Sequence, residues 1–219
     1  LAEKGNSTAQ FNLGLMYDKG DGVIQNFPKA VKWYRLAAKQ RNVSAQFNLG
    51  FMYYNGEGVA RDYERALKWY LYAARQGNIG AQFNLGWMFD KGEGVTPNYK
   101  RAIKWYRLAA KHDHAGAQYN LGLMYDEGQG VPQDYKEAVK WYRLSAEQGD
   151  TDAQYNLGLM YAKGTGVLQD YALAHMWFNL SGSNGNKDAV TNRDIIEKRM
   201  SPSQIEKAQE LARNWKPKK

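Results

Sequence analysis

The six residues Ala-Gln-Phe-Asn-Leu-Gly stand at Ala9, Ala45 and Ala81, and return with Tyr for Phe at Ala117 and Ala153. The interval is 36 residues each time, with no insertion. A fixed period of this size marks an array of stacked structural units. Each unit is too small to bury a core alone and must pack on its neighbours. The expected architecture is therefore one continuous solenoid.

The second copy shows what a unit contains. Ala45, Leu49, Met52 and Tyr53 fall at i, i+4, i+7 and i+8, one face of a helix. Asn42 is a good N-cap, and Gly56 and Gly58 end the helix. Asp62 then caps a second helix carrying Ala66, Leu67, Trp69, Tyr70, Ala73 and Ala74, and Gly77 closes it. The second-helix cap column reads Asn26, Asp62, Asn98, Asp134, Asp170. Gly14, Gly50, Gly86, Gly122 and Gly158 sit in mid-helix, where glycine costs roughly 1 kcal/mol relative to alanine. Close approach of the partner helix is the expected compensation. The second helix is apolar on two sides, as needed when it is wedged between its own partner and the next unit.

The fold class expected is all-α, with five repeats over 1–185 (about 6–41, 42–77, 78–113, 114–149 and 150–185). After Gly185 the repeat fails, and residues 186–219 are expected to form two capping helices. Ser201-Pro202-Ser203-Gln204 has the form of a capping box with Pro at the first helical position. "LAEKGN" at Leu1–Asn6 matches the close of a second helix, so the chain is expected to open partway through a unit.

Aromatic residues make up 14% of the chain, too many for a disordered polymer. Cysteine is absent, which excludes disulfides and thiolate chemistry. No apolar run approaches the roughly 18 residues of a membrane span. The net charge of +8 gathers mainly on second helices: Lys32, Lys68, Lys104 and Lys140, with Arg35, Arg107 and Arg143.

The unit A-x-x-x-L-G-x-x-Y-x-x-G-x-G-V followed by D-Y-x-x-A-x-x-W-Y-x-x-A-A resembles the Sel1-like repeat, a cousin of the tetratricopeptide repeat. Here it reads "AQFNLGFMYYNGEGV" (Ala45–Val59), then "DYERALKWYLYAA" (Asp62–Ala74). The resemblance implies a right-handed α-solenoid whose first helices line a concave face. It also implies adaptor or scaffold work in complexes, at bacterial surfaces or at host contacts. A periplasmic or secreted bacterial location is the expectation, with a cytoplasmic one as the alternative. A cysteine-rich branch linked to penicillin binding is a poor guide for a chain without cysteine.

Mapped onto this chain, one concave column is Phe11, Phe47, Phe83, Tyr119, Tyr155. The next is Leu15, Phe51, Trp87, Leu123, Leu159, and a third is Asp18, Tyr54, Asp90, Asp126, Ala162. The expected binding residues are Phe11, Leu15, Phe47, Phe51, Tyr54, Phe83, Trp87, Asp90, Tyr119, Leu123, Asp126 and Tyr155. Contiguous exposed aromatics mark recognition surfaces; the competing account has them fill the inner curve between first helices. Trp87 is the sharpest candidate, because recognition columns vary between repeats and packing columns stay monotonous. The uniform amides Asn48, Asn84 and Asn120 are candidates for contact with a peptide backbone, or for hydrogen bonds between repeats; the second account is favoured, more strongly still for the Gln column.

Three constellations imitate chemistry. "DKGDG" at Asp18–Gly22 opens like a calcium loop, but its twelfth position is Lys29. "HDH" at His112–His114 recurs in no other repeat. The glycines end helices instead of opening them, unlike a phosphate loop. The reading is a non-catalytic module, needing no metal and no cofactor, that binds a protein or peptide in an aromatic groove, with a monomer favoured. One alternative is an enzyme or small-ligand binder acting on cell-wall material. The other is a basic face for anionic surfaces or nucleic acid, the latter disfavoured because charge runs are more often solvated.

Overall fold

The computed structural model describes residues 1–218 and contains, among them, helices and turns with no strand. Its residues group into two compact halves, Leu1–Ala109 and Ala110–Lys219. The first is built from α1 (Ser7–Lys19), α2 (Phe27–Lys39), α3 (Val43–Asn55), α4 (Tyr63–Arg75), α5 (Ile79–Lys91) and α6 (Tyr99–Ala110). The second holds α7 (Ala115–Glu127), α8 (Tyr135–Glu147), α9 (Thr151–Lys163), α10 (Tyr171–Ser183), α11 (Lys187–Glu197) and α12 (Pro202–Asn214).

Helix ends follow the capping chemistry. Asn42 Oδ1 accepts the Ala45 N–H at 2.9 Å to start α3, and Asp62 accepts that of Arg65 at 2.8 Å to start α4. At the end of α3 the Gly56 N–H bonds the Met52 carbonyl from a left-handed conformation. Ser201 and Gln204 form the reciprocal capping box at α12.

The mid-helix glycines admit a ring. A Cβ at Gly50 would stand 2.7 Å from Cδ1 of Tyr70, and one at Gly14 the same distance from that of Tyr34. Gly86, Gly122 and Gly158 give the same room to Tyr106, Tyr142 and Phe178. These five rings are among the largest fully buried side chains. Burying such a ring offsets the helix-propensity cost of the glycine beneath it.

Each buried phenol needs a partner for its hydroxyl. Tyr34 donates to Asp18 Oδ2 at 2.9 Å, and Tyr142 to Asp126 Oδ2 at 3.1 Å. Burial, and the carboxylate beside each, push both phenols above their ordinary range. In the fifth repeat both members change together, to Phe178 and Ala162. Removing one member of such a pair costs more than removing both. Tyr142→Phe is expected to cost about 1 kcal/mol, and adding Asp126→Ala to recover most of it. Urea midpoints of the two singles and the double test this; strictly additive losses would refute it.

Repeats are joined by polar side chains as well as by apolar burial. Gln46 Nε2 donates to the Ala38 carbonyl at 3.2 Å, and its Oε1 accepts from Gln76 Nε2 at 2.7 Å. Gln118 and Gln154 bond the carbonyls of Ala110 and Ala146 in the same way. The amide of Asn48 reaches the Tyr34 hydroxyl, and that of Asn84 reaches Tyr70. Arg35 Nη2 donates to the Tyr53 hydroxyl at 3.0 Å, and Arg143 to Tyr161 at 2.7 Å. Two of the arginines assigned to a basic stripe thus tie one repeat to the next.

Candidate functional site

In the first half, α3 and α5 lie side by side with α4 behind them. Between them is a depression of about 290 Å³ lined by Phe51, Tyr54, Tyr70, Phe83, Asn84 and Trp87. Phe51 is 43% exposed, unusual for a ring that has neighbours to pack on. Trp87 and Tyr54 are half-buried.

The depression exists because two columns break in the second and third repeats. Position 54 carries tyrosine where Asp18, Asp90 and Asp126 stand elsewhere. Its hydroxyl donates outward to Glu93 Oε2 at 2.7 Å; burial and that carboxylate push it up to about 12. Tyr70 therefore loses the carboxylate that Tyr34 and Tyr142 have. Asn84 stands against the Tyr70 hydroxyl instead, and both line the hollow. Sequence inspection placed Tyr70 in the packing stripe and missed this; the break at Tyr54 was the available signal.

The other expected residues fall into distinct settings. Phe11, Phe47, Phe83, Tyr119 and Tyr155 are half-buried, and their rings lie 5.8–6.0 Å from Tyr34, Tyr70, Tyr106, Tyr142 and Phe178. Leu15, Leu123 and Asn120 are half-buried. Asp90 is only 10% exposed and pairs with Lys91 at 3.0 Å, while the Lys91 ammonium sits 5.0 Å from the Trp87 ring. Asp126 accepts from Tyr142. The structure thus gathers Phe51, Tyr54, Phe83, Asn84 and Trp87 around one hollow, and leaves the two aspartates engaged within the fold.

Among the described residues, no three His, Cys, Asp or Glu side chains are grouped to hold a metal ion. His114 has a structural use: its Nδ1 accepts the Ala117 N–H at 3.2 Å and caps α7. This requires an unprotonated Nδ1. Burial holds the imidazole below its ordinary value of 6.5. The sign follows: the cap contributes above the unfolded pKa and is lost as pH falls through the folded one. His114→Asn is expected to remove about 1 kcal/mol of the stability difference between pH 8 and pH 5. Denaturant midpoints of both proteins at the two pH values check it; an unchanged pH dependence would contradict the assignment.

Helical hairpins stacked at a fixed period, with a recurrent small-residue contact, define an α-solenoid repeat protein. The sequence pattern described as "Sel1 repeat" matches residues 7–42, 43–78, 79–114, 115–150 and 151–186. The chain belongs to the Sel1 repeat family. Repeats of this family generally bind proteins, and the family consists in general of non-catalytic scaffolds.

A solved structure from uropathogenic Escherichia coli, described as a protective antigen with an SLR fold, is 38% identical with a TM-score of 0.90. The match covers 97% of this chain and 46% of that one, so this chain spans under half of it. A Sel1 repeat protein from Oxalobacter formigenes is 38% identical with a TM-score of 0.80, covering 93% of this chain and 85% of the other. A Sel1 repeat protein from Klebsiella pneumoniae shares the fold at 24% identity and a TM-score of 0.54, covering 90% of this chain and 95% of that one. No curated protein matches the chain. No helix among the described residues is long and apolar enough to cross a membrane.

Proposed function

We propose that this chain is a non-catalytic interaction module that holds a protein segment in the aromatic depression between α3 and α5. The observation that supports it most is the 43% exposure of Phe51 at the mouth of a hollow floored by Tyr70 and walled by Trp87. An apolar side chain of the partner fills the hollow. Tyr70 and Asn84 in the lining supply polar groups for one backbone amide or carbonyl of the bound segment. Likeness to a protective antigen supports a setting at a bacterial surface or host contact.

The test is selection of displayed peptides on the intact chain, followed by capture with the Phe51→Ala/Trp87→Ala double variant. Capture should be lost while helical content, read by circular dichroism, is kept. Selected peptides that bind the double variant as well as the parent would overturn the reading.

A further inference from the structure

The two halves carry the same groove in two states, one filled by the chain itself and one open. In the second half, the groove between α8 and α10 is occupied by the segment that follows α12. Trp215 leaves the helix in an extended conformation, φ −69° and ψ 138°. Its ring meets Trp177 edge-on, centroids 6.4 Å apart. Pro217 passes beside Gly149, 4.0 Å from where a Cβ would stand. The Lys218 N–H donates to the Glu147 carbonyl at 2.8 Å, and its Nζ lies 2.6 Å from Glu147 Oε2. Trp177 is 6% exposed under this cover, whereas Trp33, Trp69 and Trp141 are half-buried. A groove of this kind therefore accepts a short extended segment with an aromatic at its start and a charge three residues on.

Three repeats earlier, the positions of Trp177, Gly149 and Glu147 are held by Trp69, Arg41 and Lys39. There, between α2 and α4, lies a cavity of about 480 Å³, lined by Lys39, Arg41, Gln46, Trp69, Tyr72 and Arg75 among others, with no carboxylate in its lining. Lys39, Arg41 and Arg75 are exposed and form no ion pair among the described residues. Tyr72 is 40% exposed, its ring 5.6 Å from Trp69. The architecture is that of the filled groove, and the charge is reversed.

We propose that this cavity is a second binding site, for an extended acidic segment of a partner protein that carries an aromatic side chain and a carboxylate three residues after it. The aromatic takes the place of Trp215 against Trp69 and Tyr72. The carboxylate pairs with Lys39, Arg41 and Arg75, where Lys218 pairs with Glu147. The tail of a second copy, Trp215-Lys216-Pro217-Lys218, carries the wrong sign for this groove. The site shares no residue with the aromatic depression between α3 and α5, so either can fail alone.

Two labelled peptides test it on the intact chain, with neutral flanks and blocked ends: one containing Trp-Glu-Pro-Glu, the other the tail's own Trp-Lys-Pro-Lys. Fluorescence anisotropy should show binding of the acidic peptide only, weakened by added salt. Lys39→Glu/Arg41→Glu should weaken it roughly tenfold or more and let the basic peptide bind instead. Phe51→Ala/Trp87→Ala should leave it unchanged. Acidic binding that survives the charge reversal, equal binding of both peptides, preference for the basic one, or no binding of either would each overturn the proposal.

Discussion

Replacing Phe51 and Trp87 together by alanine is expected to weaken a segment bound between α3 and α5 by a hundredfold or more, with little change in melting temperature. Truncating a buried aromatic anchor in an interface costs about 2 kcal/mol or more, and about 1.4 kcal/mol is a factor of ten in affinity. Two such anchors on one hollow give roughly 3–4 kcal/mol, allowing for their coupling. The fold loses less, because Phe51 is 43% exposed and Trp87 half-buried before any partner arrives. Leu123→Ala, at the same column in the second half, is the matched control. It removes a half-buried side chain far along the sequence from the hollow, and should leave affinity unchanged. Titration of a selected peptide against all three proteins, with thermal melts alongside, separates recognition from packing. Equal loss in the Leu123→Ala control would mean the column supports the fold and does not read the ligand.

What the sequence disclosed was whatever it repeated. The caps, the mid-helix glycines and the Gln stitching recur at one interval, so a single physical cause explains each column five times. The hollow was half legible: Phe51, Tyr54, Phe83, Asn84 and Trp87 stood out, because they line one face or break a column. Tyr70 did not, because its role depends on what position 54 fails to supply across the hairpin. His114 stood out in the sequence only as part of the unrepeated His112–His114 run, although it stands in the cap column of Asn42 and Asn78. The filled groove was invisible for a different reason. Trp215 meets Trp177 through a contact that occurs once, from a segment with no periodicity, and no repeat carries a copy of it. Periodicity reports what neighbouring repeats share; a single long-range contact leaves no such trace.

Gly58→Ala is expected to cost about 2–4 kcal/mol, against about 1 kcal/mol for Gly77→Ala. Both glycines have positive φ, +69° and +88°, so both substitutions bear the strain of a left-handed alanine. Around Gly77 nothing lies within 4 Å of an added Cβ. At Gly58 the same atom would strike the Phe27 carbonyl group and stand 2.7 Å from the Pro28 nitrogen. Those are backbone atoms at the start of α2 and cannot rotate away, so the loop before α4 must lift from the preceding repeat. In a repeat array, stability is close to a sum of unit and nearest-neighbour terms. The loss should therefore fall on the interface between the first two repeats. Hydrogen exchange should show α1 and α2 amides opening first in Gly58→Ala, ahead of those in the second half. A uniform loss of protection along the whole chain, or a cost no greater than that of Gly77→Ala, would show that the loop yields and that this contact does not hold the repeats together.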